Sequence, residues 1–425
     1  MLLVLLLISS GCVVNIPGCG KRSLPFFKKV GDLSQFAPPA SALQPSTANS
    51  APASPGASVA KPPAAPATTA VHPQDQSAME IPVAPLSSPK VALAPTATAT
   101  PQDIEQIAYT LVENNKPALW SMNTDGTNPI RLTSPEASAF YPLWSPSGKL
   151  LAFLSDQVDG KLNLFVLKKG STVPQQLTFY DDMTPPDPGG LKPPYTWSPK
   201  SDELAYLYHG QVWKVTIDSQ TTVSLYTPIY PSYSITDIQW APYRDNRPIA
   251  FLLKKGEASF ALWLVNPRLL DQLKLVDIPS ATQDISWSSD ARVVAYLYNS
   301  NFIYTASPET SIPQPLILNA SPELGPLIRY SPAETGTSPL LVLAKKDLSE
   351  NAYRVALVDL PSKDQTDTGK LKYLTEPGVT NAIWSPDGGK IAYLQSGDLW
   401  TMDASGSNKT KISISGIQYP DWSKK

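Results

Sequence analysis

Cysteine and histidine are almost absent from this sequence. Its 425 residues include two cysteines, Cys12 and Cys19, and two histidines, His72 and His209. Both cysteines precede the part of the chain that has the composition of a folded domain, so that domain can contain no disulfide or cysteine-ligated zinc. Metal or acid–base chemistry that depends on histidine has almost no ligands to draw on. We therefore expect no metal and no cofactor.

Charge is also scarce, and neither sign is in excess. Charged residues make up 16% of the chain and the formal net charge is −2. This balance lacks the basic excess that is typical of nucleic-acid-binding domains and the acidic excess of solvating tails. Also missing are a Gly-x-Ser-x-Gly nucleophile elbow, a P-loop and a dinucleotide-binding glycine pattern. The sequence predicts no nucleic-acid partner and no catalytic residues.

What the sequence does contain is a repeated phrase: a short apolar strand ending in Trp-Ser-Pro, a turn with glycine, and a second apolar strand. It is clearest at Pro142–Ser155 and Ile383–Leu394. Looser copies centre on Trp197, Trp240, Trp287, Tyr330 and Trp422. A strand-containing repeat of roughly 40–50 residues is typical of a β-propeller with four-stranded blades. We predict an all-β, seven-bladed propeller, with six or eight blades as alternatives, and place the marker tryptophans in the core between blades.

The predicted propeller begins in the middle of a blade, near Asp103. The segments Ile107–Thr110, Leu119–Met122 and Ile130–Thr133 have the character of second, third and fourth strands without a first. The missing first strand is Tyr419–Ser423. Pairing the two ends in one blade closes the ring and removes the exposed edges of an open array. We therefore assign residues 103–425 to the propeller.

Two segments precede this domain. Residues 1–19 contain an apolar run followed by Ser-Ser-Gly and Cys12, which favours an export signal with a lipobox and acylation of Cys12. Under this interpretation the propeller is a membrane-anchored lipoprotein outside the cytoplasm, periplasmic or at the cell surface. The alternative is an uncleaved anchor, and the basic residues after it would then place the propeller in the cytoplasm. Residues 20–102 are basic and then rich in Pro, Ala, Ser and Thr, which predicts a disordered, extended tether.

A known repeat resembles the best-preserved copies of the phrase. Residues 384–393, with 399–403 after them, look like the WD-like propeller repeat of the TolB family, and residues 121–133 are similar to the end of that repeat. The resemblance covers about residues 104–425 and implies a periplasmic-type β-propeller. The same repeat occurs in binding proteins, sensor ectodomains and peptidase propellers, so it does not specify a function. In TolB-type proteins a separate α/β domain precedes the propeller, and here the proline-rich segment takes its place.

The least repetitive parts of the domain are connections between blades, where propellers often carry their binding surface. Residues 179–190 are acidic and proline-rich, and residues 226–233 include three tyrosines. Both connections run from a fourth strand to the next first strand, so they emerge on the same face. Aromatic side chains held by proline lose little entropy on binding and are typical interface anchors. The predicted partner-binding face comprises Phe140, Tyr141, Phe179, Tyr180, Asp181, Asp182, Tyr226, Tyr230 and Tyr233.

From this pattern we expect a non-catalytic binding or scaffolding role, with a protein of the cell envelope as the partner. A cell-wall glycan is an alternative ligand, and a sensor or auxiliary domain of an envelope hydrolase complex is an alternative role. A purely structural interpretation also stands, in which the tyrosines only cover the rim of the propeller. His209 falls in a predicted turn between second and third strands, where a solvated turn residue is favoured over a catalytic one.

Overall fold

A computed structural model describes residues 104–425 except 182, 184–190, 243–247, 258, 283, 318–322, 334–338, 348 and 360–369. The described residues form seven antiparallel sheets of four strands each. Successive sheets contact one another as the blades of a β-propeller, so the predicted fold class and the count of seven are confirmed. Within the described part of the chain, no helix is long and apolar enough to cross a membrane. Cys12 and the predicted tether lie outside the described residues.

Short strands follow one another along the whole domain. They are β1 (Gln106–Glu113), β2 (Lys116–Asn123), β3 (Ile130–Arg131), β4 (Ala139–Trp144), β5 (Leu150–Ser155), β6 (Asn163–Lys168), β7 (Gln175–Gln176), β8 (Tyr195–Trp197), β9 (Glu203–Tyr208), β10 (Gln211–Thr216), β11 (Thr222–Tyr226), β12 (Ser234–Trp240), β13 (Ile249–Gly256), β14 (Ser259–Val265), β15 (Gln272–Ile278), β16 (Ile285–Trp287), β17 (Val294–Tyr298), β18 (Phe302–Ser307), β19 (Thr310–Ile317), β20 (Leu324–Tyr330), β21 (Leu340–Ala344), β22 (Arg354–Asp359), β23 (Lys370–Tyr373), β24 (Val379–Trp384), β25 (Lys390–Gln395), β26 (Asp398–Asp403), β27 (Thr410–Ser415) and β28 (Ile417–Trp422). Blade 1 has the order β28-β1-β2-β3, and blades 2 to 7 each take the next four strands in chain order.

The repeated phrase encodes the hairpin between the first and second strands of a blade. In blade 7 the Ser385 hydroxyl accepts a hydrogen bond from the Lys390 amide at 2.8 Å and donates one to Asp387 at 2.6 Å. Gly388 has a φ of 71°. A Cβ atom at Gly388 would lie only 2.5 Å from the hydroxyl of Ser331 in blade 6, so the turn needs glycine both for its conformation and for its space.

Blade 1 closes the ring as predicted. In β28, Trp422 pairs with Ile107 of β1, and Ile417 pairs with Leu111. Next to this pairing, the Gln106 amide donates to the Ser423 hydroxyl at 2.8 Å. The inner strand of the blade therefore comes from one end of the domain and the other three strands from the opposite end, so that β1 is paired along both of its edges.

The marker tryptophans lie in the core between blades, as predicted. Those at 144, 197, 240, 287, 384 and 422 are between 3% and 8% exposed. Several indoles also donate a hydrogen bond to a backbone carbonyl in the inner strand of the preceding blade. The pairs are Trp197 with Leu143 at 2.9 Å, Trp287 with Gln239 at 3.1 Å, and Trp384 with Arg329 at 3.1 Å. These three tryptophans thus link two blades as well as filling space between them.

Side chains of the inner strands form a second set of links around the ring. A polar side chain directly before a marker aromatic accepts a hydrogen bond from the backbone amide of the next blade's marker. The pairs are Asp421 with Trp144 at 2.6 Å, Gln239 with Trp287 at 2.8 Å, and Ser286 with Tyr330 at 2.9 Å. A buried backbone amide without an acceptor costs free energy. These side chains supply that acceptor to the inner strand of the next blade and so also fix the blades relative to one another.

The inner strands surround a central channel. The residue directly before the marker aromatic lines the channel cavity in six of the seven inner strands, and in blade 7 so does Asn381, three positions before its marker. The polar residues of the inner strands that line one cavity of the channel are Gln239, Arg329, Asn381 and Asp421, together with Thr196. The channel therefore has a polar wall in a domain whose interior is otherwise apolar.

Candidate functional site

One face of the propeller, here the upper face, carries the connections between blades and the hairpins between second and third strands. The connection from blade 2 to blade 3 brings Phe179 and Tyr180 to this face, and the connection from blade 3 to blade 4 brings Tyr230 and Tyr233. The opposite, lower face carries the remaining hairpins. The upper face is thus the place where the structure brings the predicted aromatic connections together.

An aromatic residue of the first connection stacks on the hairpin between β9 and β10. The ring of Tyr180 stacks on Tyr208 with centroids 3.8 Å apart, and Tyr208 stacks on His209 at 4.2 Å. The Tyr180 hydroxyl is also hydrogen-bonded to the hydroxyl of Tyr206 at 2.7 Å. Tyr208 and His209 end β9 and begin its hairpin to β10, where His209 has a φ of 48°, so the predicted position of His209 in a turn is confirmed.

The next blade continues this surface. Gly210 of the same hairpin accepts a hydrogen bond from the Ile235 amide at 3.3 Å, which holds the start of β12 against it. Just before β12, the rings of Tyr230 and Tyr233 meet edge to face at 5.0 Å. We call this surface the aromatic ridge; it consists of Phe179, Tyr180, Tyr208, His209, Ile229, Tyr230 and Tyr233.

The most accessible side chains of the ridge are apolar. Ile229 is 86% exposed, Phe179 is 69% exposed and Tyr230 is 56% exposed. Single large apolar side chains at such exposure are common, whereas several of them on one face of a domain indicate an interaction site. Tyr208 and Ile229 were not among the predicted site residues. The only sequence signal for them is their position in a hairpin and a connection that both end on the upper face.

Three of the predicted aromatic residues have other surroundings. Tyr141 is buried in β4, with its ring 4.1 Å from that of Tyr419. Tyr226 ends β11 and is buried against Phe251 of the next blade, with ring centroids 4.6 Å apart. Phe140 is half-buried in β4. These side chains support the blades, so the accessible surface is narrower than the predicted one.

The acidic part of the predicted face is described only at one position. Asp181 is largely exposed and forms an ion pair with Lys161 at 2.5 Å. The hydrogen bond from Lys161 lowers the pKa of Asp181, so this carboxylate is ionised at neutral pH. Asp182 lies outside the described residues. Asp181 therefore places one paired negative charge beside the ridge.

A second polar site lies in the channel, and a connection between blades contributes to it. The segment 191–193, which precedes β8, extends over the upper end of the channel. Leu191 packs against the core shared by blades 6 and 7. The Lys192 ammonium donates to Asp237 of blade 4 at 3.0 Å, contacts Asp284 of blade 5, and donates to the Ile285 carbonyl at 2.5 Å. This crossing segment thus connects blade 3 with blades on the other side of the ring.

Charges in the channel are closely balanced. Asp284 accepts hydrogen bonds from Arg329 at 2.9 Å and from the Ile328 amide at 2.7 Å, in addition to its contact with Lys192. Burial raises the pKa of Asp237, an effect that Lys192 opposes and neighbouring Asp284 reinforces. Two cations therefore serve two buried carboxylates at this end of the channel.

Asp421 is the channel carboxylate that has no such cation beside it. Its oxygen accepts the amide hydrogen bond from Trp144, and it lines a cavity of about 140 Å³. Burial raises its pKa to about 7, while hydrogen bonds from backbone amides and the more distant charge of Arg329 oppose the rise. A sizeable fraction of Asp421 is therefore protonated near neutral pH.

Replacing Asp421 with Asn should remove a pH dependence of stability. The pKa of Asp421 is about 7 in the folded state and about 3.9 in an unfolded chain. Between these values the folded state binds more protons, so its stability falls as pH rises from about 4 to about 7. We expect the free energy of unfolding of D421N, relative to wild type, to rise by about 2.5 kcal/mol between pH 5 and pH 8. Urea unfolding at both pH values measures this difference.

The control for this measurement is Asp387→Asn. Hydrogen bonds from Ser385 and Gly389 lower the pKa of Asp387, so this carboxylate is ionised at both pH values. The difference between D387N and wild type should therefore not change from pH 5 to pH 8. A constant difference for D421N as well would show that Asp421 does not titrate in this range.

The channel residues were not found from the sequence, although one signal existed. Arg329 and Asp421 directly precede a marker aromatic, and Asn381 lies three residues before one. In a propeller these positions alternate with the core positions and face the channel. Among the described residues, no group of three or more His, Cys, Asp or Glu side chains is arranged to hold a metal ion.

Comparisons with known proteins agree on the fold. No protein-family model matches the chain, and no curated protein is significantly similar to it. Among solved structures, TolB from Acinetobacter baumannii is 15% identical, with 75% of this chain and 67% of that chain covered and a TM-score of 0.46. An oligogalacturonate lyase in complex with manganese is 13% identical, with coverages of 73% and 85% and a TM-score of 0.53. A prolyl endopeptidase is 12% identical, with coverages of 75% and 50% and a TM-score of 0.52. These similarities show a shared β-propeller fold, of the kind that the TolB-like repeat predicts. At identities this low they do not specify a function, which has to be argued from the site.

Proposed function

We propose that this protein is a non-catalytic binding propeller, tethered to a membrane outside the cytoplasm, that recognises a protein of the cell envelope through its aromatic ridge. The observation that carries the proposal is the exposure of Ile229, Phe179 and Tyr230 together on the upper face. Burying large apolar side chains at the centre of an interface is the main source of affinity in protein–protein recognition. The membrane tether and the acylation of Cys12 are parts of the proposal that rest on the sequence alone.

The ridge favours a protein over a glycan as the partner. Carbohydrates bind to open faces of aromatic rings and to nearby hydrogen-bonding groups. In the ridge, Tyr208 is stacked against both Tyr180 and His209, so ring faces are already covered by other rings. The two most exposed side chains, Ile229 and Phe179, have no hydrogen-bonding group. An apolar surface with pre-packed rings is suited to the side chains of another protein.

Pre-organisation supports the same conclusion. Pro228 and Pro231 flank Ile229 and Tyr230, and the Tyr233 amide donates to the Tyr230 carbonyl at 3.0 Å. The connection is therefore held in one turn before any partner arrives, which reduces the entropy lost on binding. His209 is part of this packing, and the proposal gives it no catalytic role.

The test compares two sets of exposed apolar side chains on opposite faces. The ridge variant changes Phe179 and Tyr230 to Ala and Ile229 to Ser. The control changes Val173 and Leu269 to Ala, which are 78% and 69% exposed at hairpins of the lower face. Both variants keep the full chain and its tether. Cross-linked partners are captured from intact cells of the source organism, and the affinity of the purified partner is then measured.

We expect the ridge variant to lose at least tenfold in affinity, because truncating central anchors typically costs about 2 kcal/mol or more. The control should bind as wild type does. Capture that survives digestion of cell-wall glycans supports a protein partner, whereas capture that is lost on digestion favours the glycan alternative. Equal capture by the ridge variant and wild type would show that the ridge is not the binding surface.

A further inference from the structure

The channel cavity is lined by polar side chains whose hydrogen-bonding groups the fold uses only in part. Three consecutive blades contribute one polar side chain each to its wall: Arg329 from blade 6, Asn381 from blade 7 and Asp421 from blade 1. The cation and the carboxylate stand on either side of the amide and form no ion pair with each other. The wall therefore presents opposite charges that are separated, with a neutral polar group between them.

Only part of the Arg329 guanidinium is hydrogen-bonded by the described part of the chain. Its Nη1 atom donates to Asp284 at 2.9 Å and to the Ile328 carbonyl at 2.8 Å. Within the described part of the chain, Nε and Nη2 of Arg329 have no hydrogen-bond acceptor. These two atoms form one edge of the planar guanidinium, and such an edge matches the two oxygens of a carboxylate. The side chain is mostly buried, with 18% exposure, so this edge is held rather than freely solvated.

Asn381 supplies the most direct sign of a missing partner. Asn381 lines the cavity and is 4% exposed, and its side-chain oxygen has no hydrogen-bond partner among the described residues. A buried acceptor without a donor is costly and rare in folded proteins. Together with the carboxylate of Asp421, it forms an acceptor pair that suits a group with several N–H donors, such as an ammonium.

We propose that the cavity binds a small α-amino acid, with its carboxylate on Arg329 and its ammonium on Asp421 and Asn381. A cavity of about 140 Å³ is close in size to the engineered cavity of about 150 Å³ that holds benzene. Alanine has the same number of non-hydrogen atoms as benzene. Leu143 and Ile383 also line the cavity and provide an apolar wall for the side chain of the ligand.

Ligands with a single charge fit this wall less well. A metal ion or simple amine at Asp421 would leave the open edge of Arg329 without an acceptor. A simple anion at Arg329 would leave Asn381 and Asp421 without a donor. Since unmatched polar groups in a buried site oppose binding, the wall selects a molecule that carries both charges.

Calorimetric titration of the full chain with three small molecules tests this inference at pH 8, where Asp421, with a pKa of about 7, is mostly ionised. L-Alanine carries both charges, propionate lacks the ammonium, and ethylamine lacks the carboxylate. We expect L-alanine to bind in a one-to-one ratio, and propionate and ethylamine to bind at least tenfold more weakly. Asn381→Leu should weaken L-alanine binding at least tenfold without loss of thermal stability, because the Asn381 side-chain oxygen has no hydrogen-bond partner among the described residues. Asp421→Asn provides a second variant with the same expected loss, and the exposed Val173→Ala should leave the affinity unchanged.

Several results would overturn the inference. Propionate binding as tightly as L-alanine would define an anion site, and ethylamine doing so would define a cation site. Absence of binding by all three molecules would mean that the cavity holds only water. Wild-type affinity for L-alanine in both N381L and D421N would place the ligand elsewhere. None of these results depends on the aromatic ridge, so they leave the proposed function to its own test.

Discussion

Replacing Lys192 with Met is expected to lower the free energy of unfolding by about 3–5 kcal/mol. The Lys192 ammonium is paired with Asp237 and Asp284, whose side chains are 7% and 2% exposed. Methionine fills similar space but leaves two buried carboxylates to share Arg329. An uncompensated buried charge is among the costliest defects in a folded protein, whereas the packing of Leu191 beside it is not altered.

Denaturant unfolding of K192M at pH 8 and pH 5 measures this loss. The loss should be smaller at pH 5, because burial raises the pKa of Asp237 and this orphaned carboxylate can then take up a proton. Adding Asp237→Asn to K192M should recover a large part of the stability at pH 8, since the amide still accepts the hydrogen bond from Ile285. Lys161→Met removes an ion pair with the exposed Asp181 and serves as the control, with no measurable change expected. A similarly small effect of K192M would contradict the role assigned to the crossing segment.

Deletion of residues 417–425 is expected to abolish cooperative folding of the propeller. The deletion removes β28 and with it the buried side chains of Ile417 and Trp422. Truncating one buried tryptophan typically costs about 3–5 kcal/mol, against a total stability of about 5–15 kcal/mol for a typical domain. It also takes away Asp421, which accepts the Trp144 amide at 2.6 Å, and leaves the inner edge of β1 unpaired.

A rearranged chain separates the loss of the strand from the loss of the ring. In this variant residues 417–425 are inserted between residues 103 and 104 of the full chain and removed from their original place. Because β28 is antiparallel to β1, with Trp422 opposite Ile107, the inserted strand can form an ordinary hairpin with β1. We expect near-UV circular dichroism and a cooperative melting transition to be lost in the deletion variant and restored in the rearranged chain. A deletion variant that melts as wild type does would show that blade 1 closes without β28.

The fold could be predicted from the sequence because a similar residue pattern recurs in every blade. Trp384-Ser385-Pro386 with Gly388 specifies an inner strand, a hairpin and a core tryptophan at once, and the other copies do so with fewer matching residues. The ring closure was predictable for the same reason. The start of the domain has three strands of a blade and lacks the first, and its end has one additional first strand. The residue pattern alone is therefore enough to predict that they pair.

The site was less predictable, because composition does not distinguish a buried tyrosine from an exposed one. Tyr226 and Tyr230 lie four residues apart in the same connection. Tyr226 still belongs to β11 and packs on Phe251, whereas Tyr230 lies beyond the strand and is 56% exposed. The pairing of Lys192 with Asp237 had no local signal at all, since it depends on where a connection returns across the channel.

The pairing of β28 with β1 also bears on how long the folded protein lasts. Gln106 and Ser423, which are hydrogen-bonded beside this pairing, are 317 residues apart in the chain. Contacts between such distant residues carry a large loop-closure entropy and form slowly, so they are expected after the transition state for folding. Contacts formed that late have little effect on the folding rate but must break early in unfolding, so they set the unfolding rate. The inner strand of blade 1 therefore governs how long the propeller stays folded, for example in the presence of a protease that cleaves the unfolded chain.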